Sequence, residues 1–140
     1  MEQQKAKLKF VSPVLASADV PKDIKWYEEK LGFKNVYDSS AYQKGKIDYA
    51  VIGRDNLFIH LQFQFPDDMI STDVKFEVEN IEVLYKELLE TEAITEKNIN
   101  RKTTWNTSEA CFFDPSGNRI TFLEDLYIYS VLLLIFRLSY

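Results

Sequence analysis

Two stretches of the chain repeat one pattern of apolar and polar positions. In the first, residues 8–16 read as a strand, with Pro13 marking an edge or a bulge. Ser17 or Asp19 offers a helix N-cap, and Pro21 suits a first helical turn. Val20, Ile24, Tyr27 and Leu31 then recur at helical spacing, and Gly32 supplies a left-handed cap. Three strand-like runs follow: Phe33 to Ser39, Lys46 to Ile52 and Asn56 to Phe65. Gly53-Arg54-Asp55-Asn56 forms the turn between the last two.

The same order returns after residues 66–72, a linker carrying Pro66, Asp67 and Asp68. Asp73 to Val78 alternates apolar and charged residues, as a half-buried strand does. Asn80 can cap a helix whose apolar face is Ile81, Leu84, Tyr85 and Leu88. Residues 93–106 are polar and carry no clear period. Thr107 to Phe113 and Arg119 to Leu123 read as strands around an Asp114-Pro115-Ser116-Gly117 turn. The caps Asp19 and Asn80 lie about 60 residues apart, and Ala50-Val51-Ile52-Gly53 matches Ala110-Cys111-Phe112-Phe113 at nearly that offset. Strand–helix–strand–strand–strand thus occurs twice, in two modules that bury their faces against each other.

The 140 residues fit one domain with a sizeable core, and the aromatic content supplies rigid surface for packing or stacking. A net charge of -5 argues against a nucleic-acid partner and is compatible with a cationic one. The only cysteine, Cys111, excludes a disulfide within the chain and reads as a buried thiol. Residues 126–140 hold a single charge, Arg137, and are too short to span a membrane comfortably. A terminal strand or helix packed on the domain or on a second subunit is the expectation there. No secretory h-region follows the lysines of the first nine residues, which makes the cytoplasm the expected compartment.

The segments Pro13-Val14-Leu15-Ala16-Ser17-Ala18-Asp19-Val20, Trp26 to Phe33, Val74 to Ile81 and Phe113-Asp114-Pro115-Ser116-Gly117-Asn118 together resemble the vicinal-oxygen-chelate superfamily. That superfamily includes glyoxalases, extradiol dioxygenases, and fosfomycin- and bleomycin-resistance proteins. The resemblance covers about residues 8–125. It implies an α+β fold of two βαβββ modules (about 8–65 and 73–125), each a curved mixed sheet, around a cleft. In the metalloenzymes of the family the ligands come from the first and last strands of each module. Carried onto this chain, those positions fall on Ser12, Asp73, Phe58 or His60, and Thr121.

Chemistry then separates the branches. A divalent-metal enzyme needs about three His or carboxylate ligands. Here Ser12 and Thr121 are neutral hydroxyls, and His60 is the only histidine. The metal site reads as lost, with no cofactor, and the chain looks closer to the bleomycin-resistance branch. Leu57-Phe58-Ile59-His60-Leu61 and Thr104-Trp105-Asn106 carry that likeness. It implies a homodimer that sequesters a planar, cationic molecule without a metal, as in antibiotic resistance. A metal-dependent glyoxalase-like or dioxygenase-like enzyme is the alternative.

Phe58, His60 and Gln62 share one face of a strand, where they can stack on and orient a ligand. Trp105, in a polar loop, offers a stacking surface. Tyr49, with Tyr37 and Tyr42, can line the cleft, and Thr121 faces it from the second module. Asp73 and Glu109 can supply negative charge.

Overall fold

In a computed structural model of the chain, the structure describes residues 2–126 together with 135, 137 and 138. The apolar tail at 126–140 lies almost wholly outside the described residues. The order is β1 (Val14–Ser17), α1 (Val20–Leu31), β2 (Lys34–Asp38), β3 (Tyr49–Arg54), β4 (Leu57–Phe63), β5 (Asp73–Glu77), α2 (Ile81–Glu90), β6 (Ile99–Asn100), β7 (Thr107–Phe113) and β8 (Arg119–Asp125). Two four-stranded sheets result, ordered β1-β4-β3-β2 and β5-β8-β7-β6. In each, the first strand runs parallel to the last and the remaining neighbours are antiparallel. Both are open, curved mixed sheets, and the two βαβββ modules are realised. Among the described residues no helix is long and apolar enough to cross a membrane.

The repeat is visible in the packing. Ala50 and Ala110 occupy equivalent third strands and both are fully buried. Val20, Ile24, Tyr27 and Leu31 of α1, and Ile81, Leu84, Tyr85 and Leu88 of α2, press onto Leu15, Ile52, Ile59, Leu61, Phe112, Ile120 and Phe122 in one continuous core. Phe33 of module one meets Phe76 of module two edge to face, with ring centroids 6.1 Å apart. Where the helices end, Lys30 Nζ donates to the Thr91 carbonyl (2.7 Å) and Thr91 Oγ1 donates to the Lys30 carbonyl (2.9 Å).

Several local expectations are corrected. The strand expected over residues 8–16 begins only at Val14, and residues 2–10 are exposed without regular structure. Pro13 has no N–H to donate, and its carbonyl accepts from His60 N (2.9 Å) at the strand's entry. The third strand starts at Tyr49 rather than Lys46, because the Ser39 hydroxyl accepts from Asp48 N (2.9 Å) and holds the preceding loop. Asp19, not Ser17, caps α1 by accepting from Lys22 N (3.2 Å). Asn80 occupies the N-cap position of α2 in a left-handed conformation, and its side chain makes no capping bond. The Gly53–Asn56 turn tightens to Asp55-Asn56, both at positive φ, the twist that suits a two-residue hairpin.

The Asp-Pro-Ser-Gly turn does more than join two strands. Gly117 takes φ 87°, and Gly117 N donates to the Asp114 carbonyl (3.1 Å). The turn then reaches across to module one. Tyr27 Oη donates to Asp114 Oδ2 (2.7 Å), Asn118 Nδ2 donates to the Ala16 carbonyl (2.8 Å), and Ala18 N donates to Ser116 Oγ (3.0 Å). Asp23 accepts from the hydroxyls of Ser17 (2.6 Å) and Ser116. Burial, reinforced by the Asp114 carboxylate, pushes the Tyr27 hydroxyl far above its usual range.

Burial also lifts the Asp23 carboxyl above its ordinary value of 3.8, against the opposing pull of the two serine hydroxyls. The sign follows from linkage. With the folded pKa above the unfolded one, the contribution of Asp23 to stability is complete below 3.8 and is lost as pH rises through the folded value. Asp23→Asn is therefore expected to flatten the fall in stability as pH rises above 3.8, while Asp23→Ala destabilises at every pH. Urea midpoints measured across that range check this; an Asn variant with an unchanged slope contradicts it.

Candidate functional site

Alternation along the strands gives each sheet a second face, turned away from the helices. On sheet one the register sets Tyr49 opposite Gln62, Val51 opposite His60, and Gly53 opposite Phe58. Tyr37 lies beside Val51 and Val14 beside His60. Tyr49, Phe58, His60 and Gln62 are thus brought together on one face, as the alternation predicts. Ile59 and Leu61 take the opposite face and enter the core.

This face is aromatic and carries little charge. Tyr49 and His60 meet edge to face (centroids 5.6 Å), and a hydrogen bond joins the Tyr49 hydroxyl to His60 Nδ1. His60 Nε2 makes no hydrogen bond among the described residues. Tyr42 packs against Tyr37 at 6.3 Å. Phe58 remains 40% exposed, and its ring lies across Gly53, where an added Cβ would meet Cδ1 and Cε1 at 2.8 Å. Glycine at 53 is what lets the ring lie flat on β3. Gly53→Ala is expected to swing Phe58 away, with a large shift of its ring proton resonances and a small change in urea midpoint; unmoved resonances contradict this placement.

The second face of sheet two differs in character. It carries Asp73, Lys75 and Glu77 from β5, Arg119, Thr121 and Leu123 from β8, and Glu109, Cys111 and Phe113 from β7. Trp105, 65% exposed, donates its indole N–H to Glu109 Oε1 (2.9 Å). Thr107 Oγ1 donates to the same oxygen (2.8 Å), and Glu109 Oε2 makes no bond among the described residues. A carboxylate held by two donors beside an exposed indole suits a flat cation, since ring face and negative charge attract it together. The sequence offers Glu109 as a source of negative charge; its link to Trp105 depends on the loop conformation.

Thr121 is placed differently from an open cleft residue. It shares this face, but the register sets it between Lys75 and Cys111 and it is buried. Cys111 departs from the expected buried thiol: it is half-buried, and its Sγ accepts from Arg119 Nε (3.1 Å). Trp105 and the Phe58 group stand on different modules.

The donor set does not fit a divalent ion. Ser12 lies ahead of β1, and the expected ligand position at Thr121 has a lysine ammonium for a strand neighbour. Asp73 faces the Arg119 guanidinium at 3.9 Å. Among the described residues, no three His, Cys, Asp or Glu side chains gather closely enough to hold a metal.

Comparison with known proteins agrees with this architecture. The family model of the Glyoxalase/Bleomycin resistance protein/Dioxygenase superfamily matches residues 9–122. Among solved structures, a glyoxalase-related enzyme from Clostridium phytofermentans is similar, with a TM-score of 0.66 and 21% identity over 88% of this chain and 99% of that one. A bleomycin-binding protein complexed with bleomycin gives a TM-score of 0.62 and 17% identity, covering 84% of this chain and 99% of that one. The bleomycin-binding protein of Streptomyces verticillus, complexed with copper(II)-bleomycin, gives 0.58 and 21%, covering 83% and 97%. At these identities the likeness is one of fold. None of the curated proteins matches the chain in sequence.

Proposed function

Since the chain belongs to the Glyoxalase/Bleomycin resistance protein/Dioxygenase superfamily, we propose that it binds a planar, cationic small molecule without a metal, between the aromatic face of one copy and the acidic face of a second. The observation that carries this reading is the complementarity of the two faces. Phe58, Tyr49 and His60 offer stacking surface with little charge, while Trp105 and Glu109 offer an indole edged by a carboxylate. Each alone is half a cleft, with large aromatic side chains left in solvent. Brought together in a homodimer, they enclose a flat cation from both sides.

The affinity comes from desolvating the ligand's rings, with aromatic contacts adding about 0.5–1.5 kcal/mol each and the carboxylate fixing the charge. Gln62 and His60 Nε2, which is unbonded among the described residues, orient polar substituents. Sequestering such a molecule in the cytoplasm gives resistance to it, as a bleomycin-like antibiotic would require. Titration of the protein, stripped of metal by chelator, with the planar cation proflavine tests this. Saturable binding at one molecule per chain is expected; no binding without added metal refutes it.

A further inference from the structure

The two modules meet through a pair of related contacts that are unequal. The turn of module two, residues 114–118, docks on α1 through Asp114, Ser116 and Asn118, all buried. The matching turn of module one, Asp55-Asn56, has only two residues and faces α2. Aligning the caps Asp19 and Asn80 sets Leu84 where α1 carries Asp23. Where the long turn lays Ser116 onto Asp23, the short one leaves space over Leu84. A cavity of about 650 Å³ opens there, with Phe33, Phe76 and Phe122 in its walls.

Its rim is charged and asymmetric. Arg54 is held by Glu87 through two 3.0 Å bonds and by the Leu31 carbonyl at 2.7 Å, with Asp55 at 3.5 Å, so its charge is already answered. Glu77 and Glu79 also line the mouth and make no ion pair among the described residues. The balance of the rim is negative over an aromatic floor. Apart from Glu77, which stands at the edge of the second face of sheet two, the lining side chains come from the core-facing side of the sheets, from the turn at Arg54-Asp55 and from α2, not from the Phe58 and Trp105 groups.

We propose that this inter-module cavity is a second binding site, for a small hydrophobic ammonium compound whose apolar body rests on Phe33, Phe76 and Phe122 and whose cationic end meets Glu77 and Glu79. The site exists because the hairpin of module one is too short to fill the space that its counterpart fills. Its aromatic floor is separate from the Phe58 and Trp105 groups of the planar-cation cleft.

Three probes with one body and different charge test it: 3-phenylpropylammonium, 3-phenylpropanol and 3-phenylpropionate, titrated into the ¹⁵N-labelled full chain. Saturable amide shifts at Arg54, Val78 and Leu84 are expected with the ammonium, with affinity about threefold or more above the alcohol and the carboxylate weakest. Val83, 70% exposed on the rim, tolerates a larger side chain, and Val83→Trp is expected to weaken the ammonium about tenfold by filling the mouth. Glu79→Gln, which breaks no ion pair, should narrow the gap between ammonium and alcohol. Phe58→Ala should leave these shifts unchanged even if it abolishes proflavine binding, which separates the two sites. Shifts confined to the faces around His60 and Trp105, equal binding of the carboxylate, or full affinity in Val83→Trp would overturn the proposal.

Discussion

Asn118→Ala is expected to cost about 3 kcal/mol of folding stability, a large share of the roughly 5–15 kcal/mol that holds such a domain together. Asn118 is fully buried at the junction of the modules. Its Oδ1 accepts from Thr72 N (2.9 Å), and its Nδ2 donates to the Ala16 carbonyl and to Asp114 Oδ2, both at 2.8 Å. Alanine leaves the part-buried Thr72 N–H and the buried Ala16 C=O without these partners, and each such loss costs about 1–3 kcal/mol. Tyr27→Phe removes one donor from Asp114, which keeps the N–H groups of Ser116 and Asn118, and should cost about 1 kcal/mol. Urea unfolding followed by far-UV circular dichroism measures both. If Asn118→Ala costs less than Tyr27→Phe, the turn is not the clamp between the modules.

Phe58→Ala combined with Trp105→Ala is expected to weaken proflavine binding about 100-fold, with each single change costing about tenfold. Trp105 is 65% and Phe58 40% exposed and neither belongs to the buried core, so neither truncation opens a core cavity. The two residues stand on different modules of one chain, yet act together if each cleft is built from two copies. A mixed dimer of one Phe58→Ala copy and one Trp105→Ala copy should then contain one intact cleft and one doubly damaged cleft. Calorimetry on the purified mixed dimer should recover about half of the tight sites. Two equally weakened sites would mean that both residues act within a single chain.

Much of this architecture is legible in the sequence because local chemistry and burial agree. Asp19, Pro21 and Gly32 bracket α1 where caps and period place it, and the apolar stripe from Val20 to Leu31 is the buried one. Alternation in β4 separates Phe58, His60 and Gln62 from Ile59 and Leu61, so the composition of one site face can be read directly. Where sequence reasoning falls short, the cause is long-range. The run from Leu8 to Val11 has strand-like alternation, but among the described residues it finds no partner edge and stays exposed without regular structure. Cys111 has apolar neighbours in sequence, yet strand parity turns it toward Arg119. The Asp-Pro-Ser-Gly turn shows its conformation in its residues but not its target, since the contacts of Asp114 with Tyr27 and of Asn118 with Ala16 join opposite ends of the chain.

The proposed cleft holds a flat cation by rings and carboxylate, with no metal ion in it. The most direct measurement is isothermal titration of chelator-treated protein with proflavine, repeated after equilibration with Zn²⁺, Mn²⁺ and Ni²⁺, with elemental analysis of each sample. Equal affinity in every sample, one proflavine per chain and no stoichiometric metal are the expected result. One retained metal ion per chain, with proflavine binding only in its presence, would contradict it.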